Sequence, residues 1–261
     1  MLPTPTYIFS DAHLGFAPQA VHGQVLSFLR HLKTAAGSVI INGDLFEFWF
    51  EWKTVIPRSS FRVLAAIADL RDAGIPVVMI AGNHDCWGGE ALTKDVGVDY
   101  RLDGWEGDLG GWAARVEHGD GLRPVEDRGY RALRRVLRNS MAIRAFRWLH
   151  PDIATTLAGG SSNASRNYAS RDQGRGLKEA AARTLGARPD LELVVFGHSH
   201  ASSLERVTPT QIYGNPGSWL DRPTFLRVTP DRIALREWNG SAESPDLDAF
   251  DRPAKESLAK L

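Results

Sequence analysis

A layered α/β fold with a mainly parallel start is predicted by three features of this 261-residue sequence. Short β-branched and aromatic runs alternate with segments of helical spacing. The C-terminal third breaks into runs separated by Pro and Gly turns. Polar motifs containing glycine follow directly on the apolar runs. Tyr7-Ile8-Phe9, Val39-Ile40-Ile41, Val77-Val78-Met79-Ile80 and Leu193-Val194-Val195-Phe196 are too short for helices and read as buried strands. Between the first three lie Val25, Phe28, Leu29 and Leu32, then Phe61, Leu64, Ile67, Ala68 and Leu70, each set at helical intervals. Strand–helix–strand alternation implies parallel pairing. Leu204–Thr208, Gln211–Tyr213, Phe225–Thr229 and Arg232–Trp238 suggest antiparallel strands. Residues 1–122 and 189–239 therefore read as the core, 123–188 as an inserted unit, and 240–261 as a polar, poorly ordered tail.

Composition narrows the function classes. With 43% apolar and 24% charged residues, the chain as a whole is neither disordered nor fibrous. Its formal charge is zero, so no global polyelectrolyte effect drives binding. The single cysteine, Cys86, excludes an intramolecular disulfide framework and a cysteine-based zinc cage, and no reactive role is assigned to it. No apolar run approaches the roughly 18–20 residues that span a bilayer. The first fifteen residues lack a basic segment and reach Asp11 early, which argues against a signal peptide. The expectation is a soluble cytoplasmic protein, one that can touch a membrane from outside.

The insertion departs from this neutral average. Residues 123–188 hold fourteen basic and five acidic residues, so an acidic remainder balances them. Tyr130, Leu133, Val136, Leu137, Met141, Phe146 and Leu149 recur there at roughly helical intervals. Solvated helices with arginines on their wet faces are one reading; a cap for an anionic, partly apolar ligand is the other. Nothing in the sequence offers an aromatic stacking pattern or a nucleic-acid reader motif, so nucleic acid is not expected as a partner.

Five motifs carry the chemistry: Asp11-Ala12-His13, Gly43-Asp44, Gly82-Asn83-His84-Asp85, His118-Gly119-Asp120 and Gly197-His198-Ser199-His200. Each follows an apolar run, and ligand sites in layered α/β proteins gather beyond the carboxyl ends of strands. In extended chain, residues i and i+2 point to one side, so Asp11 with His13, and His198 with His200, can each offer a pair of ligands to one ion. Four His, two Asp and one Asn make a mixed imidazole and oxygen set that suits Mn²⁺, Fe or Zn²⁺. Seven ligands are too many for one catalytic ion with open positions, and they suit two ions sharing a carboxylate. His22, His31 and His150 read as ordinary surface or hydrogen-bonding histidines, and Asn215-Pro216-Gly217-Ser218 as turn chemistry.

The order DxH, GD, GNHD, H, GHxH over Tyr7 to Tyr213 resembles the calcineurin-like metallophosphoesterase superfamily. The resemblance implies an α/β/β/α sandwich of two mixed sheets with a helical insertion. It places Asp11, His13, Asp44 and His200 on one ion, and Asp44, Asn83, His118 and His198 on the second, with Asp44 as the bridge. It gives His84 the contact to the substrate phosphate or leaving oxygen, Asp85 the task of orienting His84, and Glu47 an outer acidic place. Asp120 is expected either to cap a turn or to orient His118.

A closer resemblance is to the UDP-2,3-diacylglucosamine hydrolases of lipid A synthesis. Ser10-Asp11-Ala12-His13-Leu14-Gly15 is similar to their SDLHL start, Gly43–Trp49 to their GDLFExW, and His118-Gly119-Asp120 with Asp127, Gly129 and Tyr130 to their HGD…DxGY. It implies Mn²⁺-dependent hydrolysis of a nucleotide-linked lipid at the α-phosphorus, at the cytoplasmic face of the inner membrane, by a peripheral protein. Asn83, His84, Asp127, Tyr130 and Arg166 are the substrate contacts it implies. The chain departs from the pattern at His84, where many of these hydrolases read GNRD, and in Phe50-Glu51-Trp52-Lys53; Ser161–Arg166 aligns only loosely. A phosphoesterase acting on soluble nucleotides, phosphomonoesters, phosphodiesters or phosphoproteins is the alternative.

Overall fold

The structure is a computed structural model that describes residues 1–123, 127–156 and 172–253. Four parallel strands begin the chain: β1 (Thr6–Phe9), β2 (Ser38–Asn42), β3 (Val77–Ile80) and β4 (Asp99–Arg101). They continue, beside β1, into the antiparallel strands β10 (Thr224–Val228), β11 (Arg232–Glu237) and β12 (Asp248–Asp251), giving the order β12-β11-β10-β1-β2-β3-β4. The second sheet runs β5 (Trp105–Leu109), β6 (Trp112–Glu117), β7 (Leu193–Phe196), β9 (Gln211–Asn215), β8 (Ser203–Thr208). Its centre, β6-β7-β9, is parallel and its two edges are antiparallel.

The period-two alternation of strand side chains builds the layers. Tyr7 and Phe9, Val39 and Ile41, and Val77 and Met79 turn to one face and pack under α1 (Gln19–Ala35) and α2 (Phe61–Asp72). Those helices bury Val25, Phe28, Leu29 and Leu32, and Val63, Leu64, Ile67 and Leu70. Ile8, Ile40, Val78 and Ile80 turn to the other face and meet Trp112, Ala114, Val116, Leu193 and Val195 of the second sheet. Val194 and Phe196 leave the far side of that sheet and are covered by Leu177, Ala180, Ala181 and Leu185 of α5 (Arg175–Ala187). Helix, sheet, sheet, helix follow in order, as expected.

Two local expectations are revised. Helix α5 was placed in the insertion by its charge, yet its apolar stripe closes the second sheet, so it belongs to the layered body. Within the insertion, α3 (Arg128–Leu137) and α4 (Ser140–Phe146) have no fully buried residue. The stretch after Gly240 is ordered through β12, which pairs with β11 in register from Asp248 to Asp251. Cross-strand pairs of Arg232 with Asp246 and Asp251 hold it where few apolar contacts exist.

Phe28 is the centre of the first core. It is fully buried, with ring centroids 4.8 Å from Phe225, 5.1 Å from Trp219, 5.5 Å from Trp238 and 5.6 Å from Phe9. Phe28→Ala should lower unfolding free energy by about 3–5 kcal/mol, read from urea denaturation; a change below about 1 kcal/mol would contradict this packing.

Candidate metal centre

The five motifs lie just beyond the carboxyl ends of β1, β2, β3, β6 and β7, adjacent parallel strands of the two sheets. The loops are laced by their backbones: Asp11 N–H donates to Gly43 O (3.1 Å), His13 N–H to Asp44 O (3.0 Å), and Gly197 N–H to His118 O (2.9 Å). The turns off the strands are sharp. Among described non-glycine residues, positive φ occurs at Asp11, His13, Asp44, His198, His200 and Gln173, so five of six are expected ligands. Such backbone costs of order 1 kcal/mol per residue and persists where surrounding contacts impose it.

Asp44 stands at the centre. Its Oδ1 accepts from His84 N–H (2.9 Å) and its Oδ2 lies 3.2 Å from His118 Nε2. A side chain at residue 82 would run into the Asp44 carboxylate, so glycine is what allows the third loop to approach. Three groups of ligand atoms lie within 4.8 Å of one another: Asp11, His13 and His200; His13, Asp44 and His84; Asp44, His118 and His198. His200 Nε2 is 3.3 Å from His13 Nε2 and 3.5 Å from Asp11 Oδ1. Of six buried side-chain atoms without a hydrogen-bond partner among the described residues, three are Asp11 Oδ1, Asn83 Oδ1 and His118 Nε2. Buried polar atoms are rarely left so. Here the three belong to the expected ligand set, and their chemistry fits divalent cations that prefer nitrogen and oxygen donors.

Outer contacts fix the rings. His13 Nδ1–H donates to Glu47 Oε2 (2.9 Å), His118 Nδ1–H to Asn42 O (2.9 Å), and His84 Nδ1–H to Glu47 O (3.0 Å), since a carbonyl oxygen only accepts. Each bond fixes the orientation of its ring. Burial alone would raise the Asp44 carboxyl, but His118, His84 and His13 around it hold it well below the ordinary carboxylate value. Burial would lower His118, yet Asp44, then Asp11 and Asp120, hold it well above. His200 is raised against its burial by the neighbouring Asp11 carboxylate. His198 is pushed down to about 4 by burial and by its neighbour His118. These shifts follow from the crowding of carboxylates and imidazoles at one point, a charge balance that divalent cations would change.

Several expected roles move. The Asp85 carboxylate accepts from the N–H groups of Gly82 (2.7 Å), Leu45 (2.9 Å), Asp44 (3.3 Å) and Phe46 (3.4 Å), and so fixes the loop that carries Asp44. Glu47 orients both His13 and His84. Asp120 does not orient His118, because its Oδ2 accepts from the Tyr130 hydroxyl and Asn42 O holds the ring instead. Tyr130, an expected substrate contact, ties α3 to the loop after β6 through this bond. Asp127 is likewise spent, on Arg123 Nη2 (2.7 Å) and on the N–H groups of Gly121 and Arg123. Arg166 lies outside the described residues. The Cys86 thiol is pushed up to about 12 by burial and by Asp85, in keeping with its lack of assigned chemistry.

Asn42, not singled out by sequence, and Asn215, read there as turn chemistry, support the centre. Asn42 supplies the carbonyl for His118; its only signal is a polar side chain at the end of a buried run. Asn215 Nδ2 donates to Gly197 O and Ser199 Oγ, both at 3.0 Å, and its Oδ1 accepts from Gly217 N–H. The Asn215–Ser218 turn thereby braces the Gly197–His200 loop, and Ser218 Oγ–H reaches Asp11 O (3.0 Å).

Several known proteins are similar to this chain. Residues 4–202 match the calcineurin-like phosphoesterase family. A UDP-2,3-diacylglucosamine hydrolase of Porphyromonas gingivalis is 31% identical over 219 residues, covering 74% of this chain and 82% of that protein. A hydrolase of the same name from Actinobacillus succinogenes is 27% identical over 234 residues, covering 89% and 99%. A dimetal phosphatase from Danio rerio superposes with a TM-score of 0.48 at 12% identity, covering 92% of this chain and 97% of that one.

Calorimetric titration with Mn²⁺ in buffers of different ionisation enthalpy should show release of about one to two protons, with affinity falling as pH is lowered. Asp44→Ala should lose most of the bound metal. Binding that is independent of pH, or retained in Asp44→Ala, would contradict the arrangement.

Proposed function

The chain belongs to the calcineurin-like phosphoesterase family and is a metal-dependent hydrolase; from that premise we propose that it cleaves a nucleotide-linked lipid of the UDP-2,3-diacylglucosamine class. Water attacks the α-phosphorus and the products are UMP and 2,3-diacylglucosamine 1-phosphate. The observation that carries this reading is the company the candidate metal centre keeps. Beside it stands α3, tied to the loop of His118 through Tyr130 and Asp120. Arg131, Arg134 and Arg135 of α3 and Arg138 just after it, at i, i+3, i+4 and i+7 spacing, line a cavity of about 480 Å³ with Gly121. On other faces of the same insertion Leu133, Val136, Met141, Trp148 and Ile153 are exposed, Trp148 by 91%. Guanidinium groups next to bare apolar side chains suit a ligand that is anionic at one end and acyl at the other.

Asp11, His13, Asp44 and His200 would hold one divalent cation, and Asp44, Asn83, His118 and His198 a second, with Mn²⁺ the ion we favour. Such a pair acidifies water and neutralises charge on a phosphoryl group. The protein's own groups do the rest. Glu47 keeps His13 and His84 turned inward, and Asp85 keeps the Asp44 loop from shifting. With Nδ1–H committed to Glu47 O, His84 presents Nε2 to the site; in its protonated form Nε2–H stabilises charge on a phosphoryl oxygen and passes the proton to the departing phosphate.

The same surface supports peripheral docking on the cytoplasmic face of the inner membrane. Among the described residues no helix is long and apolar enough to cross a bilayer. Basic helices with apolar side chains alongside settle at anionic interfaces, and an exposed tryptophan suits the headgroup depth.

Two measurements test these statements. The Mn²⁺-loaded protein should turn over UDP-2,3-diacylglucosamine in preference to bis-p-nitrophenyl phosphate, and His84→Ala should keep its metal while losing roughly 10²-fold or more in kcat. Turnover of the soluble ester alone, or full activity in His84→Ala, would overturn the assignment. In sedimentation with phosphatidylglycerol vesicles the wild type should pellet, less so at high salt, and Trp148→Ser should weaken binding several-fold. Failure of the wild type to pellet at low salt would remove the membrane from the proposal.

A further inference from the structure

The segment after Asp44 faces two ways. Glu47 turns to His13 and His84, and Trp49 turns into the first core, whereas Phe48, Phe50 and Trp52, at period-two spacing, turn toward the insertion. These rings meet Trp87, which follows the third motif by two residues, and Phe146 of α4. Phe146 has its centroid 4.9 Å from Phe50, 4.9 Å from Trp87 and 6.2 Å from Phe48, while Trp87 stands edge-on to Phe50 at 5.3 Å. Two indole N–H groups then reach across to the insertion's backbone. Trp87 Nε1–H donates to Leu137 O (2.7 Å), and Trp52 Nε1–H to Leu149 O (3.1 Å). Leu137 is the last residue of α3, whose terminal carbonyls have no partner within the helix, so the indole caps it. Helix α4 buries no residue fully, and Phe146 is its aromatic contact with this box.

We propose that Trp52 and Trp87 are positioning residues that clip the insertion at two fixed points over the centre and thereby set selectivity for the amphiphilic substrate over small esters. The proposal rests on the functional reading above for the identity of that substrate, not for the existence of the clip. The physical reason is leverage. Both clip residues sit on the same loops as Glu47, Asp44 and His84, so the arginine and apolar surface of α3 and α4 is indexed to the groups that face the phosphorus. Losing one N–H donor while keeping an aromatic ring leaves the box filled but frees one end of the insertion. A substrate gripped at both the phosphoryl group and the acyl end loses remote binding when the insertion swings, whereas a small ester has nothing to lose there.

The test uses the full-length, Mn²⁺-loaded protein and the variants Trp87→Phe, Trp52→Phe and their combination. The expected result is a KM for UDP-2,3-diacylglucosamine raised about 5- to 10-fold in each single variant and further in the double one. The kcat and KM for bis-p-nitrophenyl phosphate and the metal content should stay within about two-fold. Tryptic cleavage after Arg144 and Arg147 under native conditions should accelerate in the same order, because the clip spans them. Unchanged cleavage in the double variant overturns the clip, and so does an equal loss on both substrates, which would mark general destabilisation. If the wild type does not turn over the UDP-lipid at all, the functional reading fails, and the cleavage rates still decide whether the two indoles hold the insertion.

Discussion

A carboxylate almost sealed from water is the constraint around which the rest is organised. Asp44 is about 2% exposed, and an isolated charge there would be prohibitive. Its neighbours answer that cost: the His118 ring at 3.2 Å, the His84 N–H at 2.9 Å, and the His13 and His198 rings beyond. Those neighbours come from separate loops, so the charge at Asp44 makes the loops mutually dependent. The bare backbone of Gly82 permits the approach, and Asp85 locks it by accepting from four N–H groups on either side. What appears as a set of ligands is equally a folding requirement of the strand ends.

The layered body supplies the placement. Parallel strands bring their carboxyl ends to one edge, and the facing of two sheets brings two such edges together. Apolar alternation on β1, β2 and β3 places a sheet against helices on one side and against the second sheet on the other, so neither face is left to solvent. The positive φ at five expected ligands is then the conformational cost of reversing the chain within two or three residues of a strand. Asp and His tolerate that region better than branched residues do.

Much of this was legible in the chain. The four strand-like runs and the helices between them emerged where hydrophobic period alone put them, and the motif order located the centre, because these local patterns are enforced by burial on both faces. The misreadings share a cause: partners distant in sequence. Asp85 adjoins His84, yet its acceptors' capacity is taken by backbone N–H groups some forty residues back. Asp120 adjoins the His118 motif, yet Tyr130 claims it. Helix α5 carries the charge of the insertion but the apolar stripe of the body, and net charge was the weaker guide of the two. β4 (Asp99–Arg101) and β12 (Asp248–Asp251) are short, polar edge strands with no alternation to betray them.

Those polar margins have a bearing on how the molecule behaves in a crowd. The rim strand β12 begins and ends with aspartate, is pinned by Arg232 and Arg236 through Asp246 and Asp251, and has Arg206 stacked on Phe250. An unpaired rim of this kind invites neighbouring chains to add strands, and charge with brevity is what discourages them. A protein that concentrates on a two-dimensional surface would meet its own copies often, and a blunted rim lets it do so without polymerising.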